Sequence, residues 1–179
     1  MFAIIDLEWT SWKGSHERNW SFEWEKREII QIGTIKFNNL KNIKTKSILV
    51  KPNINKNLSH YIQNLTGINQ YAINFNSQTL EKSFLELCIF FTDVDKIFYN
   101  GLDKEIILEN CKFNNLKKPI FLKKMINLGP KIREKLNSNK EHFTSSHINE
   151  KIGFKKLKTH RALNDCMNIL NFIKKYEIC

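Results

Sequence analysis

The sequence predicts an α/β fold in which helices pack on a mixed β-sheet. The first observation is a hairpin pattern, in which strand-like runs at residues 28–37 and 43–50 flank an Asn-rich turn at 39–42. The second is that helical apolar spacing alternates with short apolar runs from residue 58 onward. A hairpin followed by such alternation predicts antiparallel and parallel strands in one sheet. At about 150 residues per domain, the 179 residues predict a single domain over residues 1–179.

Five strands are predicted in all. The run at residues 2–9 is apolar apart from two acids, which is typical of a buried strand. The polar and aromatic residues 11–27 form an excursion before the hairpin begins. After the hairpin, the run at 94–99 predicts a fourth strand that ends at a Gly turn, and residues 119–128 contain a fifth.

Helices are predicted where apolar residues recur at intervals of three and four, because such residues lie on one face of a helix. Gly67 marks the end of the first helix, since glycine is common just after a helix C-terminus. The predicted helices cover residues 58–65, 80–91, 103–111, 130–136, 146–153 and 160–173.

The composition favours a globular, basic protein. A hydrophobic fraction of 41% with 12% aromatic residues is not typical of a disordered chain. The 29 Lys and Arg against 18 Asp and Glu give a net charge of +11. This excess favours polyanionic partners, above all nucleic acid, although mere solvation of a Lys-rich surface explains the same charge.

No apolar run approaches the ~20 residues of a membrane span, and the N-terminus lacks the basic lead-in of a signal peptide. We therefore expect no membrane partner. The four cysteines are scattered without a CxxC pair, which predicts free thiols rather than a disulfide framework or a zinc site. Together these features predict a cytoplasmic location.

Two acids interrupt the first strand. Asp6 and Glu8 are two positions apart, so their side chains point to the same face of a strand. Adjacent carboxylates in an apolar run are costly unless a cation neutralises them, and Mg²⁺ or Mn²⁺ prefers carboxylate oxygen. The alternative is an edge strand whose acids are simply solvated.

Three further residues extend this candidate site. Asp103 follows a strand and a Gly turn, where it suits either a helix N-cap or a site at the end of the sheet. On the last helix, His160 and Asp165 diverge by about 140° around the axis, so Asp165 would face a metal while His160 reaches a water molecule as a general base. A surface His and a solvated Asp are the alternative. Four carboxylates can hold two divalent ions about 3.5–4 Å apart, which suits in-line attack on a phosphodiester.

Six short motifs follow one another along nearly the whole chain. They are Asp6-Leu7-Glu8, Trp9-Thr10-Ser11-Trp12, Glu28-Ile29-Ile30-Gln31-Ile32-Gly33, the segment from Leu58-Ser59 through Leu65-Thr66-Gly67-Ile68-Asn69-Gln70, Asn100-Gly101-Leu102-Asp103 and His160-Arg161-Ala162-Leu163-Asn164-Asp165. This set resembles the DEDD superfamily of 3′–5′ exonucleases. A His five residues before the last Asp is typical of its histidine subclass, DEDDh. The second motif is similar to the Ala-Thr-Cys-Trp of the branch that trims RNA 3′ ends, including histone mRNA and small interfering RNA.

The resemblance implies an RNase H-like fold, with a five-stranded mixed sheet flanked by helices. It implies that four carboxylates hold two Mg²⁺ or Mn²⁺ ions and that His160 deprotonates the attacking water. The products would be nucleoside 5′-monophosphates. The implied metal ligands are Asp6, Glu8, Asp103 and Asp165, and the expected substrate contacts are Leu7, Trp9, Thr10, Trp12, Thr66, Gly67 and Ile68.

All four tryptophans lie in the first 24 residues, among basic side chains. Aromatic residues interleaved with basic groups suit the stacking of unpaired bases. A small local core is the other interpretation. We expect Trp20 and Trp24 to form such a core, and Trp9 and Trp12 to contact substrate. The basic segment 129–150 matches no motif, and both a substrate-binding insert and a solvated helix remain open.

The sequence therefore predicts a metal-dependent 3′–5′ exonuclease that acts on single-stranded 3′ ends, with RNA favoured. A DNA exonuclease of the proofreading or repair type uses the same chemistry and stays open. So do a nucleic-acid-binding module with a decayed site, and an adaptor or inhibitor that works through protein contacts.

Overall fold

The computed structural model describes residues 1–38, 42–138 and 143–178. Its five-stranded sheet has the order β3-β2-β1-β4-β5. The strands are β1 (Phe2–Trp9), β2 (Ile29–Asn38), β3 (Asn42–Leu49), β4 (Lys96–Tyr99) and β5 (Met125–Asn127). The helices are α1 (His60–Thr66), α2 (Gln70–Asn76), α3 (Leu80–Phe90), α4 (Asp103–Phe113), α5 (Gly129–Lys135), α6 (Ile148–Lys151) and α7 (Ala162–Tyr176). Two 3₁₀ turns cover Ile120–Lys124 and Ser145–His147.

The sheet is mixed, as predicted. β1 lies at its centre and pairs antiparallel with β2 and parallel with β4. β2 and β3 form the predicted antiparallel hairpin, and β4 pairs parallel with β5. Residues 39–41 of the predicted hairpin turn lie outside the described residues.

Helices cover both faces of β1, which explains its apolar sequence. Side chains alternate along a strand, and Ala3 and Ile5 therefore pack in one core cluster with residues of α3 and α4. Ile4 points the other way and packs in a second cluster with Ile169 and Phe172 of α7. Asp6 and Glu8 follow Ile4 in this alternation, so the register of β1 directs both acids toward α7.

Two elements differ from the sequence-based expectation. The fifth strand has only three residues, because the apolar run before it forms a 3₁₀ turn in which Phe121 and Leu122 are buried. Helix α2 was not predicted, since Ile73 is its only buried residue and one buried side chain leaves no periodic pattern. Its start is stabilised instead by Asn69, whose side chain accepts a hydrogen bond from the Ala72 backbone N–H.

The helices of the described ranges are too short or too polar to span a membrane.

Candidate active site

A cleft of about 690 Å³ opens at the carboxyl ends of the neighbouring parallel strands β1 and β4. Ligand sites commonly lie at such strand ends in α/β sheets. All five residues predicted to carry the chemistry line this cleft. They are Asp6, Glu8, Asp103, His160 and Asp165.

Strand β1 supplies two of the acids. Asp6 and Glu8 are each 8% exposed, and they lie opposite Gly33 and Gln31 of β2. Because both belong to a central strand, their carboxylates are held at the cleft by the sheet itself. The alternative of a solvated edge strand is therefore wrong.

Helix α7 brings Asp165 to these acids by packing closely on β2. A Cβ atom placed on Gly33 would lie only 2.4 Å from the carbonyl carbon of Ala162 and 2.5 Å from the nitrogen of Leu163. Only glycine allows the first turn of α7 to approach β2 so closely. A glycine inside a predicted strand is the sequence signal that could have identified this contact.

Three carboxylates converge as a result. One oxygen each of Asp6, Glu8 and Asp165 lies within 4.8 Å of the other two. Among the described residues, none of these three side chains forms an ion pair with a basic side chain. Buried carboxylates need a compensating charge, and an all-oxygen set suits a hard divalent cation. The donor set therefore fits the metal that the sequence motifs imply.

Asp103 lies at the start of α4, but its side chain forms a hydrogen bond with β1 and does not cap its own helix. Its Oδ1 accepts a hydrogen bond of 3.0 Å from the Leu7 backbone N–H. The β1–β4 pairing ends at Ile4 and Phe98, so the Leu7 N–H has no strand partner on that side. The N-cap of α4 is Leu102, which makes no side-chain cap, so the N-cap interpretation of Asp103 is wrong. Asp103 lies outside the set of three converging oxygens.

The four carboxylates hold protons more tightly than usual. Burial, followed by the charges of Asp165 and Asp103, raises the pKa of Glu8 to about 8. Burial likewise raises the pKa of Asp103 to about 8 and that of Asp165 to about 6. The pKa of Asp6 lies well above its ordinary value for the same reason, with neighbouring acids adding to the effect of burial. A nearby positive charge would favour the ionised form of these groups at neutral pH.

His160 precedes α7 instead of opening it. The helix begins at Ala162, its N-cap Arg161 is extended, and His160 has a φ of 53°. The angle of about 140° expected from helical geometry therefore does not apply. Burial, and then the charge of His147, lowers the pKa of His160. The imidazole is consequently neutral at neutral pH and able to accept a proton.

Three of the expected substrate contacts line the cleft, namely Leu7, Trp9 and Trp12. Thr10 is buried behind it, and its hydroxyl donates to the Lys26 carbonyl and accepts from the Glu28 N–H. That side chain therefore ties the excursion to β2 and is turned away from the cleft.

Thr66, Gly67 and Ile68 are not among the residues that line the cleft. The buried Thr66 hydroxyl donates to the Ile62 carbonyl and accepts from the Ile68 N–H, and Ile68 packs in an apolar cluster. Gly67 ends α1 with a φ of 68°, and a Cβ there would lie 2.5 Å from the Arg161 guanidinium. The wall that α1 presents to the cleft is instead formed by Tyr61, Ile62 and Leu65.

The tryptophans divide differently from the expectation. Trp24 is 52% exposed, so its assignment to a small core is wrong. Trp20 is half-buried: its ring lies 6.3 Å from that of Trp9, the Arg27 guanidinium lies over it, and it also lines the cleft. Burial of Trp20 is therefore only partial.

One further contribution was missed, that of Asn168, and a second comes from the basic segment 129–150, which the sequence left open between a substrate-binding insert and a solvated helix. Asn168, one turn beyond Asp165, donates a hydrogen bond of 3.2 Å from its Nδ2 to the Asp165 Oδ1. In the basic segment 129–150, Arg133 lines the cleft, while residues 139–142, including Lys140 and His142, lie outside the described part of the chain. Asn100 joins this wall to β4 through its Nδ2, which donates to the Phe143 carbonyl and the Ser145 hydroxyl.

Comparison with known proteins gives the family. The RNase T family, described as Exonuclease, matches residues 3–173. The structure resembles the nuclease domain of 3′hExo, a DEDDh family member, bound to rAMP, with a TM-score of 0.84, 23% identity and coverage of 99% of this chain and 91% of that one. It resembles a 3′-exonuclease solved with a histone mRNA stem-loop to the same TM-score and identity, over 97% of this chain and 62% of that one. An E. coli exonuclease I complex with single-stranded DNA gives a TM-score of 0.69 at 15% identity, over 99% of this chain and 40% of that one.

This chain spans 60% of the length of a full-length 3′-exonuclease that it also resembles. No curated protein sequence matches it. At these identities the similar structures establish the fold, which is the five-stranded, RNase H-like fold expected from the motifs. Because the family match covers nearly the whole sequence, the chain belongs to the RNase T exonuclease family.

Proposed function

We propose that this protein is a divalent-metal-dependent 3′–5′ exonuclease that removes nucleotides from single-stranded 3′ ends and prefers RNA. The observation that carries this proposal is the convergence of three buried carboxylates in one cleft with Asp103 and His160. We further propose that residues 1–179 form one exonuclease domain. A cytoplasmic location is supported by Cys88, Cys111 and Cys166, which are free thiols.

Asp6, Glu8, Asp103 and Asp165 would hold two Mg²⁺ or Mn²⁺ ions. Bound divalent ions would supply activation of a water molecule and neutralise charge on the scissile phosphate. The carboxylates provide the negative charge and oxygen donors that such ions need. Asp103 also keeps β1 in place through the Leu7 N–H.

His160 is the proposed general base. Its lowered pKa leaves the imidazole unprotonated at neutral pH, so a ring nitrogen can take a proton from the attacking water. The water oxygen forms a bond to phosphorus and the bond from phosphorus to the 3′ oxygen breaks. The terminal nucleotide leaves as a 5′-monophosphate, and the released 3′ oxygen of the shortened strand takes a proton from solvent and becomes a 3′ hydroxyl.

Apolar and aromatic side chains would hold the terminal nucleotide. Leu7, Trp9 and Trp12 lie on one side of the cleft, and Tyr61 and Leu65 of α1 also line it. Aromatic side chains stack on any base, so such walls suit an enzyme that removes successive nucleotides regardless of sequence.

The RNA preference is supported by the Trp-Thr-Ser-Trp segment and by two similar structures, one of a 3′-exonuclease that recognises a histone mRNA stem-loop and one bound to rAMP. The DNA alternative is supported by the likeness to exonuclease I, which was solved with single-stranded DNA. The complete set of acids and His160 disfavours a decayed binding module and an adaptor, because neither needs that set.

The test is cleavage of 5′-labelled single-stranded RNA and its DNA counterpart, with Mn²⁺ or with EDTA. We expect a metal-dependent ladder that shortens from the 3′ end, faster on RNA, and lost in Asp6→Asn. Asp95→Asn is the matched control, since that carboxylate pairs with the N-terminal amine on the surface, outside the cleft lining. Rapid cutting in EDTA would overturn the metal requirement, and faster cutting of DNA would reverse the preference. Intact oligonucleotides that still bind in a gel shift would identify a binding module.

A further inference from the structure

Three aromatic rings lie in series beside the cleft. Trp12 lines the cleft, and its ring centroid is 4.8 Å from that of Trp24 in an edge-to-face arrangement. The Trp24 ring in turn lies 5.8 Å from that of Phe22, with the two planes 23° apart. We call these three residues the aromatic row. It extends the cleft surface along the excursion between β1 and β2.

The outer part of the aromatic row is exposed. Trp24 is 52% exposed and Phe22 is 50% exposed. Aromatic side chains are normally buried, and exposed apolar patches next to a binding site mark interaction surfaces.

The backbone under the row is held firmly. Glu25 follows Trp24 in the chain, and its buried carboxylate accepts hydrogen bonds from Ser15 and Arg18. The Asn55 side-chain amide donates a hydrogen bond of 2.8 Å to the Trp24 carbonyl. The rings are therefore presented by a preorganised segment, which lowers the entropy cost of binding.

The charges in this segment nearly cancel. Residues 11–27 contain four basic and three acidic side chains, and Arg18 and Arg27 are already paired with Glu25 and Glu109. Among the described ion pairs, Lys13 and Lys26 have no partner, so phosphate contacts in this segment are limited to these two lysines. The aromatic row adds base stacking to them.

We infer that the aromatic row binds the bases of the nucleotides that precede the 3′-terminal one in a single-stranded substrate. The inference rests on the proposed function, and it adds Trp24 and Phe22 as a second subsite continuous with the cleft through Trp12. Stacking is independent of base identity, so the row would hold the strand as successive terminal nucleotides are removed.

The test measures the affinity of 5′-fluorescent single-stranded oligonucleotides by anisotropy in EDTA, so that binding is observed without cleavage. A dinucleotide is compared with an oligonucleotide of roughly ten residues, and with one of the same length whose bases are missing just before the terminal nucleotide. We expect Trp24→Ala and Phe22→Ala to weaken binding of the long oligonucleotide about tenfold or more, and to remove most of its advantage over the dinucleotide. Trp24→Tyr should retain that advantage, because it keeps an aromatic face.

Phe75→Ala is the matched control. Phe75 is a 70% exposed aromatic side chain on α2, outside the cleft lining, and its replacement should leave binding unchanged. The oligonucleotide without these bases should bind to the wild type as weakly as the intact oligonucleotide binds to Trp24→Ala. When the same oligonucleotide is tested on Trp24→Ala, the affinity should fall no further. Thermal unfolding of each variant checks that the fold is retained.

The outcomes separate this inference from the proposed function. If the wild type cleaves and binds the long oligonucleotide but Trp24→Ala binds it equally well, the aromatic row is not a subsite. Equal losses in Trp24→Ala and Phe75→Ala would also overturn the inference, since they would indicate a general surface effect. If the wild type does not cleave in the Mn²⁺ assay, only the proposed exonuclease activity is contradicted, because the binding comparison does not depend on cleavage.

Discussion

Gly33 of β2 lies directly against Ala162 at the start of α7, and a Cβ atom on Gly33 would be 2.4 Å from the Ala162 carbonyl carbon. Gly33 is also the register partner of Asp6. This single contact therefore sets the distance between the strand that carries two of the acids and the helix that carries Asp165.

Replacement of Gly33 by Ala should push α7 away from the sheet. We expect the free energy of unfolding to fall by about 1–3 kcal/mol because the core is overpacked. We also expect kcat to fall about 10²-fold, since a shift of about 1 Å in a catalytic group has an effect of that size. Thermal unfolding and cleavage assays on the same preparation measure both. Gly153→Ala is the control, because a Cβ at Gly153 meets no described residue within 4 Å, although Gly153, unlike Gly33, has a positive φ. It should lose stability through strain and keep its activity; equal activity losses in both variants would contradict the role of the contact.

The raised pKa values predict an unusual dependence of stability on pH. Because the metal-free folded protein holds protons that the unfolded chain has released, its free energy of unfolding should fall as the pH rises. The pH window runs from the ordinary carboxyl pKa values of 3.8–4.5 up to a pKa of about 6 for Asp165 and about 8 for Glu8 and Asp103. Unfolding temperatures in EDTA should therefore be lower at about pH 8 than at about pH 5, and Mn²⁺ should remove most of the difference.

The same linkage predicts that Mn²⁺ binding at neutral pH releases protons. Calorimetric titrations in buffers of different ionisation enthalpy should therefore give different apparent binding enthalpies. Asp6→Asn is the informative variant, since it removes one of the groups with a raised pKa. If the free energy of unfolding falls with pH equally at saturating Mn²⁺ and in EDTA, the titrating groups are not the carboxylates of the cleft.

His160→Ala should lower kcat by about 10²–10⁴-fold if the imidazole is the general base. Because burial and then His147 lower the pKa of His160, the wild-type rate should hold to more acidic pH than a free imidazole allows. In His147→Ala the acidic limb should move to higher pH, toward the ordinary histidine value. A loss below about tenfold in His160→Ala, or an unmoved limb in His147→Ala, would contradict the assignment.

Asn168 positions Asp165. Its Nδ2 donates to the Asp165 Oδ1, and its buried Oδ1 has no hydrogen-bond partner in the described part of the chain, so the Asp165 contact is the one that fixes this amide there. Asn168→Leu should weaken Mn²⁺ binding about 10–100-fold, as expected for loss of a group that orients a metal ligand. Asn171→Leu is the matched control on the same helix, because its amide donates to Asn149 instead. Calorimetry measures both affinities, and unchanged Mn²⁺ binding in Asn168→Leu would refute the positioning role.

Elements with a strong local pattern were predicted correctly. The apolar run of β1, the hairpin of β2 with β3 and the stripe of α7 are each dictated by burial of one face or of both. The prediction failed where packing overrides the pattern. The apolar residues before β5 are buried by a 3₁₀ turn, and Trp24 is exposed although it is one of the largest apolar side chains in the chain.

Local patterns are enough to identify the residue types that carry the chemistry, because Asp6-Leu7-Glu8 lies within one strand and His160 lies just before Asp165 in the chain. How these residues meet depends on long-range packing. Gly33 leaves room for α7 to pack on β2, and Asp103 accepts a hydrogen bond from the Leu7 N–H of another element. In α1, the Thr66 side chain is buried while Leu65 lines the cleft. Each of these depends on contacts between segments far apart in the chain, which the periodicity within one segment does not encode.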